Sequence, residues 1–167
     1  TVGVIGLGRL GEITSEYFSA FGCSVFYYDV KEAESLNAQK VDTLEQIAKC
    51  DIVTIHVSYS RDTHHLIGDS FFKNCNPNMF FINTARGGIV NEESLLSALK
   101  NSKIKGAALD VIQKEHHINS QNKLIEYARL HDNLVITPHI GGNTFESFEK
   151  TEMFLFKKVL NMLSIVA

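Results

Sequence analysis

Three polar side chains are of the kinds that bind a carboxylate and transfer a proton. Arg86, Glu115 and His139 each follow a separate short apolar run. The guanidinium of Arg86 offers a planar fork of donors that matches a carboxylate. The imidazole of His139 can give or take a proton near neutral pH, and Glu115 would favour its protonated form if the two groups hydrogen bond. The set can therefore bind an acid and move a proton, provided that the fold brings it together.

A glycine-rich turn near the N-terminus predicts a binding site for a dinucleotide. The pattern G-x-G-x-x-G joins an apolar run to a helical pattern, and its residues are Gly6, Gly8, Arg9, Leu10 and Gly11. Gly6 suits a tight turn, Gly8 lets the backbone approach a pyrophosphate, and Gly11 allows the helix to pack closely on the strand. The N-terminus of the helix would receive the negative charge.

The second apolar run ends at Asp29, which predicts a preference for NAD. A carboxylate at this point can accept both ribose hydroxyls of NAD and repels the 2′-phosphate of NADP, although the nearby Lys31 could soften that preference. The other interpretation of the glycines and Asp29 is an ordinary strand–helix turn followed by a surface acid. With a nicotinamide beside Arg86 and His139, the site would suit reversible hydride transfer between a 2-hydroxy acid and a 2-oxo acid.

The elements that must position these residues alternate regularly between apolar runs and helical patterns. Most runs are continuously apolar, as in parallel strands that are covered on both faces. The pattern predicts an α/β fold, a doubly wound parallel sheet of the Rossmann type with about six parallel strands and helices on both faces. The predicted strands are Val2–Ile5, Ser24–Tyr28, Ile52–His56, Met79–Ile82, Gly106–Leu109 and Leu134–Thr137, and the predicted helices are Leu10–Phe21, Leu44–Lys49, Ser70–Asn74, Glu92–Lys100, Asn122–Leu130 and Thr144 to about Leu163.

Composition excludes several other classes of protein. The 167 residues carry a net charge of −3 and are 44% hydrophobic, which is typical of one globular domain and gives no basic surface for nucleic acid. No apolar run is long enough to span a membrane. The three cysteines, Cys23, Cys50 and Cys75, form no C-x-x-C pair, which predicts reduced thiols in a cytoplasmic protein. The adjacent histidine pairs 64–65 and 116–117 lack the further ligands of a metal site, so no metal is predicted.

The sequence resembles the cofactor-binding domain of the D-isomer-specific 2-hydroxyacid dehydrogenases, which include D-lactate, D-glycerate and D-3-phosphoglycerate dehydrogenases. The resemblance covers essentially the whole chain. It depends on the segments VGVIGLGRLG, YYD, HVS with THHLI, INTARGGIVNEESLLSAL, GAALDV and TPHIGG. The segments around Arg86 and His139 are the most specific of these in combination.

The resemblance implies a role for each matching position. Arg86, Glu115 and His139 fall on the catalytic arginine, glutamate and histidine of the family. Ser58 and His116 depart from it, because the family usually has proline at both positions. The positions implied to contact the cofactor, in addition to the glycine turn and Asp29, are Asp110 at the nicotinamide, His56, Val57 and Ser58 on the adenine side, and Thr84, Ala85, Gly141 and Gly142.

The resemblance also implies that residues 1–167 are one dinucleotide-binding domain of a longer protein. Family members are about twice this length, because a discontinuous substrate domain is built from segments on either side. We therefore expect this chain to bind NAD, to form a homodimer through this domain and to turn over little substrate alone. The alternative is a non-catalytic module that senses NAD(H), as in corepressors on the same fold. Formate dehydrogenase shares the architecture but ranks lower, because it resembles a version of this family with glutamine where the present sequence has Glu115.

Overall fold

The computed structural model describes residues 1–115 and 122–166, with side chains described as far as residue 163. The chain divides into two compact units, Thr1–Thr137 and Pro138–Ala167.

The first unit is built on a seven-stranded sheet in which every described strand pairing is parallel. The strand order is β3-β2-β1-β4-β5-β6-β7, so the order reverses at β1, as in doubly wound folds. The strands are β1 (Val2–Ile5), β2 (Val25–Tyr28), β3 (Gln39–Lys40), β4 (Ile52–Ile55), β5 (Phe80–Asn83), β6 (Gly106–Leu109) and β7 (Leu134–Ile136). Its helices are α1 (Arg9–Ala20), α2 (Leu44–Ile47), α3 (Asp69–Lys73), α4 (Glu92–Lys100), α5 (Lys123–Ala128) and a 3-10 turn, Gly87–Ile89.

The predicted fold class is confirmed, and the prediction of six strands missed the seventh. Strand β3 pairs with β2 through Phe26 and Gln39, and the amide of Val41 extends this pairing to the carbonyl of Tyr27 at 2.9 Å. The residues of β3 are polar and lie at the edge of the sheet, so they form no apolar run. Only the pairing with β2 makes them a strand.

Helices α1 and α2 cover opposite faces of β1. A Cβ on Gly3 would lie 2.7 Å from the Ile47 side chain in α2. The next residue, Val4, points the other way, and its side chain would lie 3.4 Å from a Cβ on Gly11 in α1. Each face has its own apolar core, a small one around Tyr27 beneath α1 and a larger one that extends beneath α2, α3, α4 and α5.

Local signals in the sequence account for the helix ends. The Thr43 side chain accepts from the backbone of Gln46 and completes a capping box at the start of α2. Asn91 accepts from the amide of Ser94 at 3.0 Å and caps α4. Gly22, which follows α1, has φ +82°, a conformation that glycine adopts without strain.

The second unit consists of a tight turn and one helix, α6 (Phe145–Val166). The amide of Asn143 donates to the carbonyl of Ile140, and Gly142 has φ +78°. The Thr144 hydroxyl accepts from the amide of Ser147 at 3.2 Å and caps the helix. Among the described residues, no helix combines the length and the apolar character needed to cross a membrane.

Candidate active site

The glycine turn brings the ends of β1 and β4 together. Gly6 has φ +95°, and its amide donates to the carbonyl of Tyr28 at 2.8 Å. A Cβ on Gly6 would lie 2.6 Å from the Val57 side chain, and a Cβ on Gly11 would lie 2.1 Å from the Gly6 carbonyl oxygen. Side chains at positions 6 and 11 would therefore push β4 or α1 away, because real Cβ atoms do not approach so closely.

Gly8 has a different role, because nothing lies within 4 Å of the position that its Cβ would take. Gly8 is the N-cap of α1, and it has no side chain to accept from the first amides of the helix. The first turn of α1 therefore presents a positive helix end next to open space. This arrangement fits the pyrophosphate of a dinucleotide, which would bind there through backbone amides.

Asp29 directly follows β2 and lies against the glycine turn. Its Oδ2 accepts from the amide of Leu7 at 2.8 Å, and its Oδ1 accepts from the amide of Lys31 at 2.9 Å. The two bonds fix the orientation of the carboxylate. Each oxygen retains a further lone pair, so Asp29 can still accept from ribose hydroxyls.

The loop after β4 adds a partly buried histidine. The Nε2 atom of His56 lies 3.0 Å from the Thr54 hydroxyl, while its Nδ1 atom is buried and has no hydrogen-bond partner among the described residues. Burial lowers the pKa of His56 from 6.5 to about 4. The imidazole is therefore neutral at neutral pH, and its unsatisfied nitrogen fits a polar group of a ligand.

A cavity of about 840 Å³ joins these segments within the first unit. This volume lies in the range of small-molecule and cofactor sites. The predicted site residues that line the cavity are Leu10, His56, Val57, Ser58, Thr84, Ala85, Arg86 and Glu115. The cavity thus joins Leu10, in the first turn of α1, to the loops that follow β4, β5 and β6, whereas Gly6, Gly8, Arg9, Gly11 and Asp29 are not among its lining residues.

A buried amide shapes the turn that carries Arg86. Asn83, the last residue of β5, accepts from the amide of Ala85 at 3.0 Å and donates to the carbonyl of Arg86 at 3.1 Å. Asn83 is 1% exposed, whereas Arg86 is exposed and donates to the carbonyl of Ala85 at 2.6 Å. The guanidinium therefore stands on a rigid turn and has further donors for an acid.

The turn after Arg86 packs against the loop that leads to Glu115. A Cβ on Gly87 would lie 2.1 Å from the carbonyl carbon of Ile112 and 2.5 Å from the amide nitrogen of Gln113. Glu115 is half-buried, and the preceding Lys114 has φ +54°, which turns the chain sharply towards it. Arg86 and Glu115 are thus brought into the same cavity on adjacent segments.

The other predicted residues lie elsewhere. Asp110 is buried at the end of β6, where its carboxylate accepts from the Thr137 hydroxyl, and it is not among the residues that line the cavity. Its contact with a nicotinamide stays a prediction. His139, with φ +52°, and both Gly141 and Gly142 belong to the second unit, so their approach to Arg86 and Glu115 also stays a prediction.

Within residues 1–115 and 122–166, no group of three histidine, cysteine, aspartate or glutamate side chains is arranged to hold a metal ion. His64 and His65 stack on each other with ring centroids 3.9 Å apart. His116 and His117, the second pair noted in the sequence, lie outside the described residues.

Sequence reasoning did not identify the residues whose hydrogen bonds connect the segments that carry Arg86 and Glu115. Asn83 shapes the arginine turn, and the His65 ring lies 2.7 Å from the side-chain nitrogen of Gln113. A polar residue at the end of a buried strand was the only signal for Asn83. For His65 and Gln113, which are 48 residues apart in the sequence, no local signal existed.

The strand order and the glycine turn define a dinucleotide-binding domain of the Rossmann type. Residues 1–141 match the family described as D-isomer specific 2-hydroxyacid dehydrogenase, NAD binding domain, and the chain belongs to this family. The resemblance seen in the sequence is thereby confirmed.

Individual relatives agree with this assignment. A Staphylococcus saprophyticus protein named as a 2-hydroxyacid dehydrogenase is 36% identical over 98% of this chain and 51% of its own length. The NAD-complexed D-isomer specific 2-hydroxyacid dehydrogenase of Lactobacillus delbrueckii ssp. bulgaricus has a TM-score of 0.88 at 29% identity, over 98% of this chain and 53% of that one. The D-lactate dehydrogenase of Aquifex aeolicus, complexed with NAD and lactic acid, has a TM-score of 0.84 at 32% identity with the same coverage, 98% and 53%. The chain thus spans about half the length of these relatives.

Two glycines of the turn should respond differently to the same added methyl group, Gly11 mainly in stability and Gly8 mainly in cofactor binding. Gly11→Ala should lower the free energy of unfolding by about 3 kcal/mol or more, because its Cβ would overlap the Gly6 carbonyl. Gly8→Ala should cost only about 1 kcal/mol, the difference between glycine and alanine at an N-cap, but should weaken NADH binding. Urea unfolding and a fluorescence titration with NADH measure the two effects. Equal loss of stability in both variants would contradict the roles assigned to these glycines.

The buried His56 should make the fold less stable in mild acid. Its pKa of about 4 in the fold lies below the ordinary 6.5, so the unfolded chain binds the extra proton between these values. Stability should therefore fall as the pH is lowered from about 6.5 to 4, by up to about 1.4 kcal/mol per pH unit. Urea unfolding at a series of pH values should show a smaller loss in His56→Gln. The same substitution at an exposed histidine, His131→Gln, provides the control.

Proposed function

We propose that the protein containing this chain is an NAD-dependent oxidoreductase that transfers a hydride between NAD(H) and a D-2-hydroxy acid/2-oxo acid pair. The chain would be its cofactor-binding domain. The observation that carries the proposal is the shared cavity, which is lined by Arg86, Glu115 and Leu10 of the first turn of α1. A non-catalytic NAD(H)-sensing module is not favoured, because the named relatives are dehydrogenases.

In this proposal the chain's own residues bind the acid and handle the proton, while bound NAD(H) supplies or accepts the hydride. Arg86 binds the substrate carboxylate through its donor fork and polarises the adjacent carbonyl. His139 protonates the developing alkoxide during reduction and removes the hydroxyl proton during oxidation. Glu115, which falls on the position of the family's catalytic glutamate, would assist His139 in this proton transfer.

The substrate class follows from the chemistry of Arg86 and from one relative. A guanidinium on a rigid turn suits a small carboxylate, and the Aquifex aeolicus D-lactate dehydrogenase was crystallised with lactic acid. The length comparison supports a second part of the proposal. Because this chain spans about half of the relatives, a separate substrate domain would close over the cavity and exclude water. We expect residues 1–167 alone to bind NADH and to show little turnover.

We also propose that Asp29 selects NAD over NADP in this chain. Backbone amides on both of its oxygens hold the carboxylate beside the glycine turn. A carboxylate fixed there would repel a 2′-phosphate and accept the free hydroxyls of NAD.

A homodimer and a cytoplasmic location complete the proposal. One side of α1 and its C-cap expose Ile13, Tyr17 and Phe21 by 44%, 63% and 86%. Their spacing of four residues forms one apolar stripe, which would be covered by a second copy of the domain. Cys23, Cys50 and Cys75 are all free thiols, which suits a reducing compartment.

Replacement of Arg86 should abolish most of the activity without affecting cofactor binding. Arg86→Gln in the protein expressed from its complete reading frame should lower kcat/KM for the 2-oxo acid by at least about 100-fold, because one charged donor to the reacting group is lost. The Kd for NADH should stay near the wild-type value. Steady-state NADH oxidation and a fluorescence titration measure these quantities.

Arg61, an exposed arginine in the loop after β4, provides the matched control. Arg61→Gln should keep wild-type kcat/KM. An Arg86→Gln enzyme that retained most of its activity would overturn the role assigned to Arg86.

A charge in the apolar stripe of α1 should separate the dimer. Tyr17→Glu would place a carboxylate at the centre of the stripe, where it would lose its hydration on association. Sedimentation equilibrium should show a dimer for the wild type and a monomer for the variant. Glu16→Gln, on the adjacent exposed position, should leave the dimer intact. A wild-type monomer, or a Tyr17→Glu dimer of unchanged affinity, would refute the interface.

A further inference from the structure

The loop after β4 is hydrogen bonded to the segment that follows Arg86. The amide of His65 donates to the carbonyl of Gly88 at 2.9 Å, and Ile67 forms a parallel bridge with Val90. His65 adopts φ +52°, which is unusual for a residue with a side chain. Such a conformation persists only where the surrounding contacts hold it in place.

The ring of His65 continues this connection to a third segment. Its Nε2 atom lies 2.7 Å from Nε2 of Gln113, and the same Gln113 nitrogen donates to the carbonyl of Val90 at 2.8 Å. A carbonyl only accepts, so the Gln113 side chain must present its NH₂ group to Val90. The second hydrogen of that NH₂ group then points to His65, whose Nε2 must be the acceptor. Nε2 therefore carries no proton in this arrangement, and the other ring nitrogen, Nδ1, has a longer contact of 3.5 Å with the side-chain nitrogen of Asn91.

Gln113 is held from several directions, and it lies two residues before Glu115. Its amide donates to the carboxylate of Glu92, and its backbone packs against Gly87 with no room for a Cβ. Burial of Glu92 raises the pKa of this carboxyl, and the hydrogen bond from the Gln113 backbone partly opposes that effect. The position of Gln113 therefore determines where Lys114 turns the chain and where the backbone of Glu115 lies.

We propose that His65 and Gln113 are positioning residues, which through their mutual hydrogen bond align the Arg86 turn with the Glu115 loop for the reaction. The inference depends on the proposed dehydrogenase function and deepens it. His65 fixes the segment after Arg86 through its backbone and the segment before Glu115 through its ring. Loss of this bond would let the two catalytic groups shift relative to each other, and displacement by about 1 Å can cost a factor of about 100 in rate.

Three variants of the protein expressed from its complete reading frame test the proposal. His65→Leu and Gln113→Leu keep the approximate volume and remove the hydrogen bond. His65→Gln places a side-chain oxygen near the position of Nε2, so that the Gln113 NH₂ group keeps an acceptor. Thr43→Ala, which removes the capping box of α2 away from the cavity, provides a control for general loss of stability at a cost of about 1 kcal/mol.

The proposal predicts a separation of kinetic effects in NADH-dependent reduction of pyruvate or hydroxypyruvate. The two leucine variants should lower kcat by about 10- to 100-fold and leave the Kd for NADH unchanged. His65→Gln should restore kcat to within about threefold of wild type, since its acceptor is retained, and Thr43→Ala should match wild type. Wild-type kcat in His65→Leu, or equal losses in His65→Gln and His65→Leu, would overturn the proposal.

Failure of the proposed function would be visible separately, as a wild-type protein that reduces no 2-oxo acid. In that case NMR spectra of the folded protein decide whether His65 and Gln113 position the loops. The wild type should show Nε2 of the His65 ring without a proton, and Gln113→Leu should shift the backbone amides of Gly88 and Glu115. A proton on Nε2, or unchanged amides in Gln113→Leu, would overturn the positioning role.

Discussion

The candidate site depends on two places where backbone segments approach more closely than a Cβ would allow. At one, Gly6 and Gly11 let β1, α1 and the segment after β4 meet. Gly8, between them, leaves open space at the first turn of α1. At the other, Gly87 lets the turn after Arg86 lie flush against Ile112 and Gln113. Both contacts join loops at the carboxyl edge of the sheet, where open α/β folds bind their ligands. Without them the cavity would be wider and its walls less rigid.

Side-chain hydrogen bonds at the carboxyl edge of the sheet hold the turns that the glycines bring close together. Asn83 is buried at the end of β5 and shapes the arginine turn, while Asp29 orients its carboxylate on the amides of the glycine turn. Each group satisfies backbone donors or acceptors that would otherwise be costly to bury. The side chain of Arg86, which we propose binds the substrate, stays exposed, so its donors are open to an acid. Rigid support behind an exposed reactive group is the arrangement that precise orientation requires.

The elements that could be predicted from the sequence are those whose own residues form a recognisable pattern. Continuous apolar runs predicted every strand except β3, whose polar residues become a strand only through pairing with β2. The glycine spacing predicted the turn, and the apolar run before Asp29 predicted β2, which ends at Tyr28. The contacts of His65 with Gln113 could not be predicted, because residues 48 positions apart meet only when three loops have folded. The bond that the Asp110 carboxylate accepts from the Thr137 hydroxyl could not be predicted either, because these residues are 27 positions apart, and the expected contact of Asp110 with a nicotinamide stays a prediction.

The proposed catalytic residues belong to both units of the chain. Arg86 and Glu115 share a cavity in the first unit, whereas His139 lies in the second, so the complete catalytic set stays a proposal. The most direct test is the chirality of the product when the protein expressed from its complete reading frame reduces pyruvate with NADH. Chiral chromatography should find D-lactate as the product. Formation of L-lactate, or the absence of NADH oxidation with pyruvate, hydroxypyruvate and glyoxylate, would contradict the account.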